Sequence, residues 1–514
     1  MTATAKADVV VVGAGVVGVA CATYLAKRGA QVAIIDHRPA LSYTSALSTE
    51  CYRNYWGGHA PMTQFMNRSI DLLEERARAS GNSFSMNRRG YTFLSRTQSG
   101  AMRHAAMAAQ ANELGLRGGG MVHSDGEHGA VYSGSTLAYD ADVDGLTAFQ
   151  GRAAIDAFFS SLPASHELQS ANGSSFLSSE ILSVLHCGRC GWMNAQQMGS
   201  GLLEEARSLG ARMIFPATLT AILAEGGGGR GSGGQLSGVV LSTPNNPQVS
   251  IACGAVVNCA GPFASHVNRL LLGVKSDGSE PADRRVRPPP PPLSNEVHCK
   301  AILRDLASAV PAEAPMMILE DAVELDWTEE ERESLRSMGG FEASLADPIE
   351  GGAHFRPYGG SDNALLMLWE ALHNDVDVTD PPPEEPALRD PALLAELMLR
   401  GLGQMVPGLA SSYLTGDGTM RASVSVDGGY YTKTPDNLPL IGPLAGAPSG
   451  AYVCAGLSGY GVMAANAAGE LLAMHVEHAS LPTAYAETFL PERWCDEGYC
   501  KKVASGEAGG GLQI

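Results

Sequence analysis

The chain has 514 residues, of which 45% are hydrophobic and 17% charged, a balance that is typical of a globular protein and excludes extensive disorder. It carries 35 Lys and Arg residues against 54 Asp and Glu, and the resulting formal net charge of −19 disfavours a nucleic-acid partner. No apolar run approaches the roughly 20 residues of a transmembrane segment, and residues 1–8 lack the pattern of a signal peptide, so we expect a soluble, cytoplasmic protein, with an organelle as the alternative.

The first predicted elements form a strand–helix–strand unit. Residues 9–12 are four consecutive valines, residues 16–28 have a helical composition, and residues 31–35 form an apolar run before Asp36. This order, with a glycine-rich turn between the first strand and the helix, predicts one βαβ unit of a parallel sheet.

The turn of this unit carries three glycines at the spacing of a dinucleotide-binding fingerprint. Gly13 permits the tight turn, Gly15 lets a pyrophosphate approach the backbone, and Gly18 lets the helix pack closely on the strand. Asp36, at the end of the second strand, is placed to accept a hydrogen bond from a ribose hydroxyl. The unit therefore predicts a dinucleotide site with the phosphates at the start of the helix.

Further elements alternate along the rest of the chain. In chain order we predict a helix at 198–209, a hairpin of residues 213–215 and 238–241 with a flexible Gly-rich tip at 226–234, a strand at 255–258, a helix at 327–335, a strand at 364–369, a strand at 451–455 and a helix at 462–477. Two proline-rich stretches, 288–292 and 381–386, are expected to be surface connectors.

The tightest cysteine pair is Cys187 and Cys190, preceded by His186. A metal or redox site is one interpretation of this pair. A turn that carries two thiols is favoured, because no second pair stands at zinc-site spacing.

Several segments, in order, carry a resemblance to a known family. Residues 44–53 form a Ser/Thr-rich loop, residues 256–263 are a strand that ends in Ala-Gly, residues 431–436 read Tyr-Thr-Lys-Thr-Pro-Asp, residues 439–442 read Pro-Leu-Ile-Gly, and residues 456–461 form a glycine turn. With the first glycine turn, these segments resemble the D-amino-acid-oxidase-like FAD flavoproteins. The most similar branch contains monomeric sarcosine oxidase, glycine oxidase, dimethylglycine dehydrogenase and the mitochondrial FAD-dependent oxidoreductase domain proteins.

The resemblance implies an α/β fold, α+β overall, with a discontinuous Rossmann-like FAD-binding domain and an inserted mixed β-sheet substrate domain. The expected FAD-binding domain comprises residues 1–90, 185–270 and 405–500, the substrate domain residues 91–184 and 271–404, and a flexible tail residues 501–514.

The residues expected to contact FAD lie in the first glycine turn, after the second strand, in the Ser/Thr loop and in the later glycine turns. They are Gly13, Ala14, Gly15, Val16, Val17, Gly18, Asp36, His37, Arg38, Ser45, Ser48, Thr49, Leu219, Ala260, Gly261, Gly456, Ser458, Gly459, Tyr460, Gly461, Val462 and Met463. Hydroxyls of the loop would bind phosphate oxygens, and the start of the last helix would favour an anionic reduced flavin. An ordinary polar loop and a strand-to-helix turn are the alternatives, and no metal ligand is expected.

The chain departs from the family at positions that bind flavin and substrate. Sarcosine oxidase tethers its flavin through a cysteine where this chain has Gly429, so we expect non-covalent FAD. The same enzyme binds the substrate carboxylate with a lysine and a histidine, matched here by Met463 and Tyr460, and glycine oxidase uses an arginine, matched here by Tyr431. The basic residues with which these two relatives bind a small carboxylate are therefore both absent at the matching positions.

The catalytic candidates are Arg53, Arg356, His298, Tyr431 and Tyr460. Either arginine suits a carboxylate, and a structural ion pair is an equal alternative. The histidine resembles one near the flavin of the dimethylglycine dehydrogenase group, where it would act as a base or an orienting group; a buried structural histidine is the alternative. The tyrosines would form an aromatic wall of the substrate site or pack in the core.

The resemblance implies an FAD-dependent oxidoreductase that oxidises a C–N bond of an amino acid, or of a secondary or tertiary amine, to an imine. One alternative is a 2-hydroxy-acid dehydrogenase with His298 as its base. Another is a flavin-binding assembly or chaperone protein with little catalysis. The substrate is expected to be a small molecule, and the electron acceptor is left open between oxygen, an electron-transfer flavoprotein and a quinone.

Overall fold

The computed structural model describes residues 5–125, 131–133, 138–162, 176–226, 234–274, 289–358, 363–375, 382–415 and 420–509. Within these ranges, no helix is at once long enough and apolar enough to cross a membrane.

The strands are β1 (Ala5–Lys6), β2 (Val9–Val12), β3 (Val32–Ile35), β4 (Cys51–Tyr52), β5 (Tyr91–Ser95), β6 (Gly120–His123), β7 (Leu146–Gln150), β8 (Ser183–Cys187), β9 (Gly191–Trp192), β10 (Arg212–Ile214), β11 (Thr218–Glu225), β12 (Gln235–Thr243), β13 (Asn246–Ala252), β14 (Ala255–Asn258), β15 (Ser294–Arg304), β16 (Met316–Leu319), β17 (Ala353–Pro357), β18 (Ala364–Trp369), β19 (Asn374–Asp375), β20 (Val424–Lys433), β21 (Leu440–Pro443) and β22 (Ala451–Ala455). The α-helices of the described residues are α1 (Val16–Lys27), α2 (Ala60–Ala79), α3 (Gln98–Ala109), α4 (Arg152–Phe158), α5 (Ala195–Ser208), α6 (Ala264–Leu271), α7 (Glu329–Met338), α8 (Gly340–Ser344), α9 (Pro391–Gly403), α10 (Pro407–Tyr413), α11 (Gly461–Val476) and α12 (Glu497–Ala504).

A six-stranded sheet, in the order β10-β3-β2-β14-β22-β21, contains the predicted βαβ unit. Its neighbouring strands are parallel except β21, which is antiparallel to β22. The four valines of β2 are buried on both faces. Val9 and Val11 pack in the core formed with α1, α2 and α11, while Val10 and Val12 pack against the four-stranded sheet β1-β13-β12-β11. A continuous apolar run is what such a doubly covered parallel strand requires.

A second large sheet of ten strands follows the order β19-β15-β18-β17-β16-β5-β8-β7-β6, with β20 paired to β15. It mixes parallel and antiparallel neighbours, and α9 and α10 contribute to the core on it. The short strands β4 and β9 form a separate antiparallel pair. The α/β architecture expected from the resemblance is therefore present.

One predicted hairpin strand is wrong. Residues 212–214 form β10, which pairs in parallel with β3 at the edge of the six-stranded sheet, and the strand that pairs with β12 is β11. The composition of a three-residue apolar segment does not indicate which sheet the segment joins, so the pairing inferred from composition was wrong. Residues 227–233 of the predicted tip lie outside the described residues.

The other predicted elements lie within a few residues of the observed helices and strands. Residues 289–292 and 382–386 contain neither helix nor strand, while Pro288 and Pro381 lie outside the described residues. The turn of residues 188–190 joins β8 to β9, and the buried thiols of Cys187 and Cys190 lie 3.1 Å apart, Sγ to Sγ.

The division into two domains stays a prediction. Helix α12 extends into the predicted tail.

Candidate functional site

The first glycine turn joins β2 to α1 in a conformation that requires small residues. Gly13 has a φ of +106°, in the region that favours glycine. A Cβ on Gly18 would lie 1.9 Å from the Gly13 carbonyl oxygen, whereas the nearest atom to a Cβ on Gly15 would be the Ser45 Oγ at 3.3 Å. Gly13 and Gly18 are therefore needed for packing, and Gly15 keeps an open space above the turn.

Asp36 lies opposite this turn, at the end of β3. Its carboxylate accepts hydrogen bonds from the backbone N–H groups of Ala14 at 2.7 Å and Arg38 at 2.9 Å. A carboxylate offers about four acceptor positions. Asp36 therefore retains capacity to accept hydrogen bonds from a ligand hydroxyl, as the sequence predicts.

The Ser/Thr loop contacts the same helix start. The Ser45 Oγ accepts a hydrogen bond from the Val16 N–H at 2.9 Å, and its own proton has no acceptor among the described residues. The loop is held from the other side by Lys300, whose Nζ donates to the Leu47 carbonyl at 2.9 Å. Ser45 is thus placed as a neutral donor at the positive end of α1.

Two cavities meet at the glycine turn. The outer cavity extends from the turn past Asp36 toward Leu219. The inner cavity extends past Ser48 toward His298, Tyr431 and the 456–462 turn. Both are lined by Gly15, Ser45 and Gly261. Together they form an elongated site with helix N–H groups at its centre and a carboxylate at one end, which fits a dinucleotide.

Most residues expected to contact the cofactor line one of these cavities. The outer cavity is lined by Gly13, Ala14, Gly15, Asp36, His37, Arg38, Ser45, Leu219, Ala260 and Gly261, and the inner cavity by Gly15, Val16, Val17, Ser45, Ser48, Thr49, Gly261, Gly456, Ser458, Gly459, Gly461 and Val462. Gly18 lines neither, because it packs on Gly13. Tyr460 and Met463 lie instead in a third space, described below.

His298 lines the inner cavity and is held by its neighbours. Its Nε2 lies 3.1 Å from the Glu296 carboxylate, and its ring stacks on Tyr431 with centroids 3.9 Å apart. Burial opposes ionisation of Glu296, but hydrogen bonds from His298 and Lys433 lower its pKa to about 2. Burial lowers the pKa of His298, so the neutral ring donates through Nε2. Its buried Nδ1 has no partner among the described residues and remains an acceptor for a bound group.

A smaller recess adjoins the inner cavity. The two share Thr49, Leu368, Tyr431 and Gly459 as lining residues. Arg53, which follows β4, lines the recess, is 4% exposed and lies with its Cζ 4.4 Å from the centroid of the Trp56 ring. Its guanidinium makes no hydrogen bond or ion pair with any residue that the structure describes. A buried cation without a hydrogen-bonding partner is costly, which makes Arg53 a candidate for binding an anionic group.

Two further ionisable side chains line the recess. Glu370 follows β18, is half-buried, and likewise has no side-chain partner in the described part of the chain. Burial raises the pKa of Glu370 to about 7. His354 on β17 lies 2.7 Å from the Gly352 carbonyl through Nδ1, and burial lowers its pKa to about 4, so it is neutral and donates through Nδ1.

The remaining predicted residues divide between the recess and the surrounding structure. Tyr431, Tyr460 and Met463 line the recess, and the Tyr460 hydroxyl donates to the Asn437 carbonyl at 2.9 Å. Arg356 lines neither the recess nor the cavities. The structure thus brings Arg53, Tyr431 and Tyr460 together, places His298 in the adjoining cavity, and separates Arg356 from them.

Arg356 is committed to the loop that precedes Arg53. Its guanidinium, 1% exposed, donates to the Thr49 carbonyl at 2.8 Å and 3.1 Å, to the Glu50 carboxylate at 3.2 Å and to the Pro357 carbonyl at 3.0 Å. These contacts hold the end of the Ser/Thr loop against β17. We therefore assign Arg356 a positioning role.

Replacing Arg356 with methionine should lower the Tm and the FAD content, because the Thr49 and Glu50 oxygens lose their donor at a cost of about 1–3 kcal/mol. Turnover per bound flavin should change little. Thermal unfolding, flavin absorbance and steady-state kinetics on the same preparation measure the three quantities. Loss of flavin-normalised turnover with a wild-type Tm would contradict the positioning role.

Some residues that line the candidate site were missed by the sequence interpretation. Glu370, His354, Trp56 and Tyr91 line the recess, and Lys300 lines the inner cavity and holds the loop. None of them stands in a motif with a recognisable spacing. Only the position of Glu370, a lone acidic residue directly after the apolar run of residues 364–369, is a signal in the sequence.

Comparisons with known proteins bear on this geometry. A family model described as DAO: FAD dependent oxidoreductase matches residues 8–288 and 323–474. The solved L-proline dehydrogenase from P. horikoshii is 18% identical, with a TM-score of 0.61 over 98% of this chain and 100% of that chain. The glycine oxidase from Geobacillus kaustophilus is 16% identical, with a TM-score of 0.61 over 95% of this chain and 98% of that chain. The L-amino acid deaminase from Proteus vulgaris is 12% identical, with a TM-score of 0.60 over 95% of this chain and 97% of that chain. At these identities the likeness concerns the fold. A search of curated protein sequences found no match.

Proposed function

Because this chain belongs to the FAD-dependent oxidoreductase family, we propose that it oxidises the C–N bond of an amino acid, or of a secondary or tertiary amine that carries a carboxylate. The enzyme class and the FAD cofactor come from the family. The substrate is supported by the recess, and by similar structures that are named for proline, glycine and amino acids as substrates.

The cofactor site fits the residues present. The turn at Gly15 leaves room for the pyrophosphate, Ser45 has a free donor beside it, and Asp36 retains acceptor positions for a ribose. The inner cavity, which His298 lines, would hold the isoalloxazine. When bound there, FAD supplies a two-electron acceptor for the hydrogen on the carbon beside nitrogen, and the resulting imine is hydrolysed by water.

The observation that carries the proposal is the unpaired Arg53 guanidinium beside the inner cavity. A carboxylate is the planar anion that its fork of N–H donors binds best. Met463 and Tyr431, at the positions where relatives carry cations, line the same recess. Arg53, which follows β4, would supply this positive charge in the recess.

The other residues of the recess orient the substrate and exclude water. Trp56, Tyr91 and Tyr460 are buried aromatic walls, so an ionic contact inside the recess is strengthened by the low dielectric. His298 has its Nε2 occupied by Glu296 and lies outside the recess lining, so we assign it an orienting role toward the cofactor. The alternative in which His298 is the base of a hydroxy-acid dehydrogenase would use its Nδ1, which has no partner among the described residues, and the reduction experiment below decides between the two.

The direct test is anaerobic reduction of the bound flavin by matched compounds. Each of a set of amino acids and their N-methylated forms is mixed with the holoenzyme beside the 2-hydroxy acid of the same side chain, and the loss of flavin absorbance is recorded. We expect amino acids to reduce the flavin. Faster reduction by the hydroxy acids would overturn the proposal, and a stable yellow protein that no compound reduces would favour the assembly role.

The compartment and the electron acceptor remain proposals. All ten cysteines are free thiols, which is consistent with the reducing cytoplasm. Repeating the reduction in air and following flavin reoxidation distinguishes oxygen from a flavoprotein or quinone acceptor.

FAD should be released intact when the protein is precipitated with acid. Gly429 lines the inner cavity at the position of the family's tether, and it has no side chain that forms a bond. The flavin in the supernatant, measured by absorbance and identified by mass, should equal the flavin originally bound. Colour that stays with the washed pellet would refute non-covalent binding.

A further inference from the structure

We propose that Glu370 binds the amino nitrogen of the substrate, so that the recess selects zwitterionic amino acids over hydroxy acids and plain carboxylates. This inference rests on the proposed function, because it places the substrate carboxylate on Arg53. It adds a second recognition element and decides between the two substrate classes that the family fold leaves open.

The geometry provides one cationic and one acidic group in a single enclosed space. Arg53 comes from the segment after β4 and Glu370 from the turn after β18, and both line the recess. They form no ion pair with each other, since no nitrogen–oxygen distance of 4 Å or less joins them in the described structure. Two opposite charges held apart in one recess match the two ends of a zwitterion better than they match any monopolar ligand.

The groups that face Glu370 leave its carboxyl available. Besides Arg53, charges act on it from Lys433 on β20, Glu296 on β15 and His373 after its own turn. Lys433 is paired with Glu296 at 2.5 Å, so this lysine is not free to neutralise Glu370. Tyr431 and the neutral His354 complete the recess.

The acid–base state of Glu370 suits an incoming ammonium. Its pKa is raised to about 7 by burial, so near neutral pH it is a weaker acid than an exposed glutamate and accepts a proton readily. A bound ammonium donates to a carboxylate oxygen of Glu370 and can transfer one proton to it. The N–H bond then breaks, an O–H bond forms, and the electron pair stays on nitrogen as a neutral amine.

The sign of the pH dependence follows from this arrangement. An ammonium prefers the ionised Glu370, so the affinity for a zwitterion should rise as the pH increases through 7. A carboxylate without an amine is repelled by the ionised Glu370, so its affinity should fall over the same interval. Binding of the zwitterion near pH 7 should also release protons.

Three isosteric probes without a hydrogen on the α-carbon allow binding to be measured without turnover. They are 2-aminoisobutyrate, 2-hydroxyisobutyrate and pivalate, which place ammonium, hydroxyl and methyl at the same position. Calorimetric titration of each into the FAD-loaded enzyme, at pH 5.5 and 8.5 and in two buffers of different ionisation enthalpy, gives the Kd and the protons released. At pH 8.5 we expect 2-aminoisobutyrate to bind about 10- to 150-fold more tightly than pivalate, the range for a charge-assisted contact.

Glu370→Gln should abolish this preference and flatten both pH profiles, while pivalate still binds. Glu320→Gln is the matched control, because Glu320 is also half-buried but pairs with His104 and lines no part of the recess. If Glu370→Gln fails to fold, the opposite pH trends and the proton release of the wild-type enzyme still test the proposal.

The possible outcomes distinguish the role of Glu370 from that of the Arg53 site. Pivalate binding that Arg53→Met weakens, without any preference for the amine, overturns the role of Glu370 and leaves the Arg53 site standing. Tightest binding of 2-hydroxyisobutyrate overturns the role of Glu370 in favour of a hydroxy-acid substrate. Failure of all three probes to bind the wild-type holoenzyme overturns the small-acid site together with the role of Glu370.

Discussion

Arg53→Met should lower kcat/KM for the best amino acid substrate by about 30- to 5,000-fold and leave the FAD content unchanged. The variant buries the substrate carboxylate in the recess without its guanidinium partner, and truncating one side of such a buried pair costs about 2–5 kcal/mol. Arg53 contacts Trp56 but no polar group of the described protein, so its removal leaves no native hydrogen-bonding partner unsatisfied. The measurement is flavin-normalised steady-state kinetics.

Arg53→Lys should restore only part of the activity, because an ammonium cannot make the paired contact of the guanidinium fork. Arg28→Met is the control, since Arg28 lies on the surface beside Glu477, far from the recess lining. A wild-type kcat/KM per flavin in Arg53→Met, together with a lower Tm, would show that Arg53 is structural.

Gly15→Leu should yield a folded protein without bound FAD. The site of a Gly15 side chain is bordered by the Ser45 Oγ at 3.3 Å, so a modest shift of that hydroxyl accommodates the first carbon. The rest of the side chain occupies the space above the helix start where the pyrophosphate must lie. We expect no flavin absorbance after purification and a circular dichroism spectrum close to that of the wild-type apoprotein.

Gly201→Leu is the matched control for this substitution. Gly201 lies on the exposed side of α5, and no neighbouring atom lies within 4 Å of the position that a Cβ would take there, so the same change should leave FAD binding intact. Gly18 is not a useful control, because its side chain would meet the Gly13 carbonyl and disturb the fold itself. Stoichiometric FAD in folded Gly15→Leu would remove the basis for the pyrophosphate site.

The sequence predicted several strands of the six-stranded sheet because their constraints are local. The valine run of β2, the glycine turn and the strand at 255–258 each combine an uncommon composition with a fixed spacing, and all form the expected elements. The short segment at 212–214 was assigned to the wrong sheet, because its pairing with β3 depends on a contact between residues far apart in the chain.

The candidate site was predictable only where it coincides with a motif. Arg53 is the last residue of the Ser/Thr loop and was predicted with it, whereas Glu370 lines the same recess from a different sheet. No spacing in the sequence relates these two residues. Arg356 and Arg53 are both buried arginines, and only the hydrogen bonds of Arg356 to Thr49 and Glu50 separate a positioning role from a binding role.

The strand order of the six-stranded sheet also determines when the enzyme can become active during its synthesis. β2 at residues 9–12 pairs with β14 at 255–258, and β14 pairs with β22 at 451–455. At about 5–20 residues per second, roughly 20–90 s separate translation of the first of these strands from that of the last. During that time an apolar, unpaired edge of β2 or β14 is exposed to neighbouring nascent chains, a situation in which chaperones are needed. The inner cavity, which residues 456–459 help to line, is therefore completed only after most of the chain has been translated.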